Sequence, residues 1–131
     1  MPIQKTDIEI LYPELSYIIT GLCFRVQDKL GRFAKEKQFS DMLEVELKGT
    51  NIPFVREFTV EGTSNRVDFI IDSKILIEVK AKPFVSKEEY YQTKRYLDIL
   101  DLRLGLLINF QSKYIKPQRI IRSTNTFVSS S

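Results

Sequence analysis

Asp68, Glu78 and Lys80 are the residues of this chain whose types and spacing could do chemistry. They lie in two arms rich in Val, Ile and Phe: Arg66-Val67-Asp68-Phe69-Ile70-Ile71, and Ile75-Leu76-Ile77-Glu78-Val79-Lys80-Ala81-Lys82. The polar residues Asp72-Ser73-Lys74 join them, and this composition is the signature of an antiparallel hairpin. With residues 72–74 as the loop, Ile71 faces Ile75, and counting back along both arms sets Asp68 opposite Glu78. Strand side chains alternate, so Arg66, Asp68 and Ile70 share a face with Leu76, Glu78 and Lys80. The other face, Val67, Phe69 and Ile71 against Ile75, Ile77, Val79 and Ala81, is wholly apolar and is expected in the core.

Two accounts of the charged face stand open. One is a cross-strand ion pair in contact with water. The other starts from Ile70 and Leu76, which make the arms apolar on both sides, as in central strands covered on both faces. Two carboxylates about 5 Å apart in such a setting repel by roughly 3 kcal/mol at an effective dielectric near 20, and a divalent cation removes that cost. Oxygen ligands beside a lysine suit Mg²⁺ or Mn²⁺ rather than Zn²⁺, because the chain has no His and a single cysteine, Cys23, to offer a softer metal.

The elements that must position these residues fit one domain spanning residues 1–131. The chain is 43% hydrophobic and 28% charged, enough to bury one core. No apolar run reaches membrane-spanning length and no signal segment opens the chain, so it is expected to be cytoplasmic, with no membrane partner. One cysteine excludes an intrachain disulfide; Cys23 lies among Leu22, Phe24 and Val26 in a helical pattern and is expected to pack in the core. Without His there is no Ser-His or Cys-His pair. The net charge is only +3. It is uneven: residues 1–65 hold 8 Lys or Arg and 10 Asp or Glu, residues 66–131 hold 12 and 7. The half with the hairpin is the basic half, a hint of a phosphate-bearing partner.

Residues 1–10 read as a lead-in arm. Pro13-Glu14 suits a helix start, Leu15, Ile18, Ile19, Leu22, Val26 and Leu30 recur at helical spacing, and Gly31 stops the helix. A second helix is expected over Ala34–Lys48, with Phe39, Met42, Leu43 and Leu47 on its apolar side and Glu36 as a solvated first-turn carboxylate. Residues 54–60 form a first strand. Pro83 closes the hairpin's second arm. Ser86 with Glu89 makes a capping box for a helix from Lys87 to about Asp101. Its stripe is Tyr90, Thr93, Leu97 and Leu100, beside Gln92, Tyr96 and Ile99. Residues 104–110 read as a buried strand parallel to the second arm, residues 118–122 as an edge strand, and residues 123–131 as a flexible tail. The fold class is therefore α/β (α+β mixed), a mixed sheet of four to five strands flanked by helices.

Asp68, a turn, and then Glu78-Val79-Lys80 resembles the core of the PD-(D/E)XK nuclease superfamily, with its restriction endonuclease-like fold. A nearer likeness lies in the small bacterial and archaeal proteins named for a G-x-x-E-x-x-Y motif. Leu11-Tyr12-Pro13-Glu14-Leu15-Ser16-Tyr17, Leu30-Gly31, Val67-Asp68-Phe69, Ile77-Glu78-Val79-Lys80-Ala81, Gln92 ahead of Arg95-Tyr96-Leu97, and Gly105-Leu106-Leu107-Ile108-Asn109-Phe110 look like theirs. The eponymous motif departs: Phe33 replaces its glycine and Phe39 its tyrosine, while Glu36 remains.

The resemblance implies a metal-dependent nuclease acting on DNA. It makes Glu36 the carboxylate of the second helix, Asp68, Glu78 and the Val79 carbonyl the holders of Mg²⁺ (or Mn²⁺), and Lys80 and Gln92 their companions. Cutting both strands of a duplex takes two active sites, which leaves room for a homodimer. The competing readings are a silent nucleic-acid-binding or protein-interaction module that retains the fold, and an assembly subunit whose ion pair is structural.

Overall fold

Three helices and five strands make up residues 11–122, the part of the chain that the computed structural model describes. The lead-in arm expected at 1–10 and the tail at 123–131 lie outside the described residues. Helix α1 runs Pro13–Leu30, begun by the proline and ended at Gly31, whose φ of 78° only glycine adopts at little cost. Helix α2 runs Glu36–Lys48, two residues shorter than expected at its start. Lys35 is extended there, and its N–H donates to the Gln38 side chain at 2.8 Å, which fixes the entry.

Strands β1 (Phe54–Thr59), β2 (Arg66–Ile71) and β3 (Ile75–Lys80) follow, then helix α3 (Lys87–Leu100) and strands β4 (Leu104–Asn109) and β5 (Gln118–Ile121). The five strands lie in the sheet in chain order. β3 and β4 are parallel, joined through α3, and the other neighbours are antiparallel. The hairpin has the expected register, Ile71 with Ile75 and Phe69 with Ile77. Strand β3 stops at Lys80 rather than Lys82. Past Lys80 the Asn109 amide takes over, accepting from the Lys82 N–H at 3.2 Å and donating to the Lys82 carbonyl at 2.8 Å.

Helices α1 and α2 cover one face of the sheet. Ile19, Cys23, Val26, Phe39, Leu43 and Leu47 close over Phe69, Ile71, Ile75, Ile77, Val79, Leu106 and Ile108, all fully buried or nearly so. Side chains of this size each contribute about 1.5–3 kcal/mol on leaving water, and Phe39 stacks on Phe110 with centroids 4.7 Å apart. Cys23 is in this core as expected, its thiol pushed up to about 12 by burial. Ile18 is not: it is exposed beside Tyr17.

Helix α3 covers the opposite face, where Tyr96 and Leu97 meet Leu76, Leu107 and Ile120. It sits close, since a Cβ built on Gly105 of β4 would lie 3.2 Å from Thr93 Cγ2. Val67 belongs to this second cluster with Val60, not with Phe69 and Ile71 as the strict alternation predicts. The strand changes side at Asp68: the paired positions of β2 and β3 end at Phe69 with Ile77, and opposite Asp68 in the β1 register Glu57 takes left-handed backbone with φ 57°. Among the described residues no helix is long and apolar enough to cross a membrane.

Candidate active site

Beyond Phe69 and Ile77 the hairpin's ladder is replaced by its two acids. Asp68 Oδ2 accepts from the Val79 N–H at 2.7 Å, and Glu78 Oε1 accepts from the Asp68 N–H at 3.1 Å. Each carboxylate thus reaches across to the other strand's backbone, and the two adjoin as their register predicts. Glu78 is 8% exposed and Asp68 is half-buried. Burial raises the pKa of Asp68 against the pull of the Val79 N–H, Lys80 and Arg56. Burial, then the charge of Asp68, push Glu78 up to about 8. Two adjoining acids that resist ionising together in this way would be relieved by a cation or by sharing a proton.

Lys80 follows on β3, but its direct partner is not this pair. Lys80 Nζ lies 3.5 Å from Glu89 Oε2, and Lys82 Nζ lies 2.7 Å from the same atom. Lys80 acts on Asp68 and Glu78 through its charge at longer range. Glu89 is oriented by the capping box, its Oε1 accepting from the Ser86 N–H at 2.8 Å. Burial alone would raise Glu89, yet the Lys82 ammonium, the Ser86 N–H and Lys80 outweigh it and hold the acid at about 2.

Helix α2 brings its first residue, Glu36, to the same end of the sheet. Its side chain is exposed overall, yet partial burial of the carboxyl raises its pKa; Lys80 opposes the shift and Asp68 adds to it. Gln92, half-buried on α3, donates through Nε2 to the Tyr96 hydroxyl at 2.9 Å. The structure therefore gathers Asp68, Glu78 and Lys80 within electrostatic reach of one another, sets Glu36 within reach of Asp68 and Lys80, and engages Gln92 with Tyr96.

Three participants escape a reading of the residues alone. Lys82 was within reach, because alternation from Glu78 and Lys80 carries on to it. Glu89 is visible in sequence only as a cap, although a capping glutamate needs one oxygen and has a second to offer. Asn109, which clasps the backbone of Lys82, carries no local signal.

The donor set fits a hard divalent cation in its chemistry. Asp68 and Glu78 each use one oxygen on a backbone N–H, and their carboxyl groups lie within hydrogen-bond reach of each other. No group of three or more Asp, Glu or Cys converges tightly enough, among the described residues, to hold a metal by itself. Water and main-chain oxygen would complete the shell, as Mg²⁺ commonly requires. Among curated proteins no relative matches the chain. A family model of the PD-(D/E)XK nuclease superfamily matches residues 13–123.

Proposed function

The chain belongs to the PD-(D/E)XK nuclease superfamily, and from that premise we propose that it is a divalent-metal-dependent nuclease hydrolysing phosphodiester bonds in DNA. The observation that carries this reading is the pair of buried Glu78 and half-buried Asp68, joined strand to strand by their own carboxylates, with Lys80 two residues further on. Asp68, Glu78 and the Val79 carbonyl would hold Mg²⁺ or Mn²⁺. When bound, that ion polarises a phosphoryl oxygen and lowers the pKa of a coordinated water.

The chain's own residues would do the rest. Lys80 places positive charge where negative charge develops on the phosphoryl oxygens. Glu89 holds Lys80 and Lys82 at that end of the sheet, while Glu36 adds a carboxylate from the α2 side. Gln92, braced on Tyr96, would orient substrate or water. Water adds to phosphorus, one P–O bond to sugar breaks, and the products are a phosphomonoester and a hydroxyl.

Lys80→Ala tests the assignment. The variant should fold and should keep its stabilisation by Mg²⁺, yet cleave about a hundredfold more slowly or worse, since one transition-state contact is worth roughly 3 kcal/mol. The measurement is cleavage of single-stranded, duplex and branched DNA, run beside melting curves in EDTA and in Mg²⁺. A second reading, a silent binding module, draws on the ion pair that engages Lys80 with Glu89. It gains if wild type cuts none of these substrates and Lys80→Ala melts early with or without metal.

A further inference from the structure

Three large aromatic rings stand in solvent around the same end of the sheet: Phe33 is 77% exposed, Phe84 74% and Tyr114 78%. None contributes to either core, and each costs something by remaining in water. Phe33 lies in the loop before α2, three residues ahead of Glu36. Phe84 lies in the loop from β3 to α3, two residues after Lys82. Tyr114 lies in the loop after β4, and because β3 and β4 are parallel both of those loops leave the sheet at one end.

Hydrogen bonds tie these loops to one another. Arg32 Nε donates to the Gln111 carbonyl at 2.9 Å, joining the Phe33 loop to the Tyr114 loop. Gln27 Nε2 donates to the Phe110 and Ser112 carbonyls at 2.8 Å each. Asn109 clasps Lys82 from the other side, joining the Tyr114 loop to the Phe84 loop. The three rings therefore ride on a single stitched rim rather than on independent loops.

Two of the rings carry a cation over their faces. Arg32 lies 5.0 Å from the Phe33 centroid and Lys113 lies 5.5 Å from the Tyr114 centroid. Next to Phe84 in sequence, a groove of about 420 Å³ is lined by Val85, Ser86, Lys87, Tyr90, Tyr91 and Gln118, with Tyr90 and Tyr91 edge to face at 5.2 Å. Exposed rings set among unburied cations are the pairing that recognises unstacked bases on a phosphate chain: every base offers a flat face to a ring, and every phosphate a charge to a lysine or arginine. A paired duplex keeps its base faces stacked on one another and offers only the charge.

We propose that this rim is a stacking platform for single-stranded nucleic acid, with Phe33, Phe84 and Tyr114 each receiving a base and Arg32 and Lys113 contacting the adjoining phosphates. The platform deepens the nuclease reading by naming its substrate, a strand with unpaired bases, but binding to it does not require that the chain cut.

The test is the affinity of the full chain, in EDTA, for a fluorescently labelled 20-nucleotide oligothymidylate and for a 20-base-pair duplex, at 50 and 200 mM salt. The proposal expects oligothymidylate to bind at least tenfold more tightly than duplex. Phe33→Ala, Phe84→Ala and Tyr114→Ala should each weaken it several-fold or more, while Tyr114→Phe binds like wild type because the ring is retained. Arg32→Ala and Lys113→Ala should lower the dependence on salt. Melting curves of the three ring-to-alanine variants should overlay the wild type, since the rings support no core.

Equal affinity of the triple alanine variant and wild type, a preference for duplex, or no binding to either probe overturns the platform. Cleavage in Mg²⁺ with ring-independent binding would leave the nuclease reading standing and remove the platform. Ring-dependent binding by a chain that cuts nothing would do the reverse.

Discussion

Asp68 and Glu78 each reach over the gap between β2 and β3 to the other strand's N–H, and the backbone depends on those bonds where its own ladder has ended. Asp68→Asn keeps the size and the acceptor but removes one of two repelling charges. In EDTA above pH 8, where Glu78 is ionised as well, it should raise stability by about 1–2 kcal/mol, a few degrees in Tm, and the stabilisation by Mg²⁺ expected of wild type should disappear. Paired thermal melts decide this, and an Asp68→Asn protein that melts earlier than wild type in EDTA would refute the account of strain between the two acids. Glu89 works in the opposite sense. Its folded pKa, about 2, is below the ordinary value of 4.5, so the stability it supplies is complete above pH 4.5 and is lost as pH falls towards 2. Glu89→Gln should therefore be the less stable protein at pH 7 and should flatten the decline of Tm over that acid range. A wild-type and variant curve falling in parallel would remove Glu89 from the acid response.

Gly105 sets how closely α3 lies on β4, and with it where Glu89 and Gln92 stand. In Gly105→Ala the new methyl meets Thr93 Cγ2 at 3.2 Å, which should displace the helix by a few tenths of an ångström and cost about 1–2 kcal/mol. Cleavage should fall further than the loss of stability accounts for, and Thr93→Ser, which removes the opposing methyl, should restore both; a double-mutant cycle measures the rescue. The elements themselves were legible in the sequence wherever the signal is local. Pro13, Gly31 and the Ser86–Glu89 box place their helix ends to within a residue, and the arm composition gives the hairpin with its register. What was not legible depends on contacts across the chain. Lys80 pairs with Glu89 only because α3 begins just beyond the end of β3, and Val67 leaves the face of Phe69 where the neighbouring strand carries left-handed backbone at Glu57. The start of α2 was misplaced by two residues because its cap is Lys35 with Gln38, not a Ser, Thr, Asp or Asn that sequence reasoning looks for.

At the scale of the whole molecule, metal binding to a folded site and not to the unfolded chain must raise the melting temperature by mass action. Saturation at a hundred times Kd is worth about 2.7 kcal/mol, so millimolar Mg²⁺ or Mn²⁺ should lift the Tm of wild type measurably, Glu78→Gln should abolish the lift, and Lys80→Ala should preserve it. A scan with increasing metal reads all three, and an equal lift in Glu78→Gln would place the ion elsewhere. Among the described residues the strand order puts β1 at one margin of the sheet, six residues carrying exposed Val55 and Phe58. A margin of that kind invites strands from other copies, the first step towards fibrils. Glu57 stands in its middle with left-handed backbone, flanked by Arg56 and paired with Arg66 at 3.3 Å. An incoming strand that began to zip onto Phe54 and Val55 would lose its alignment of donors and acceptors at Glu57 and meet charge in place of an apolar row. The kink that accompanies the change of side at Asp68 would thus also hinder such pairing along the margin of the sheet nearest its acids.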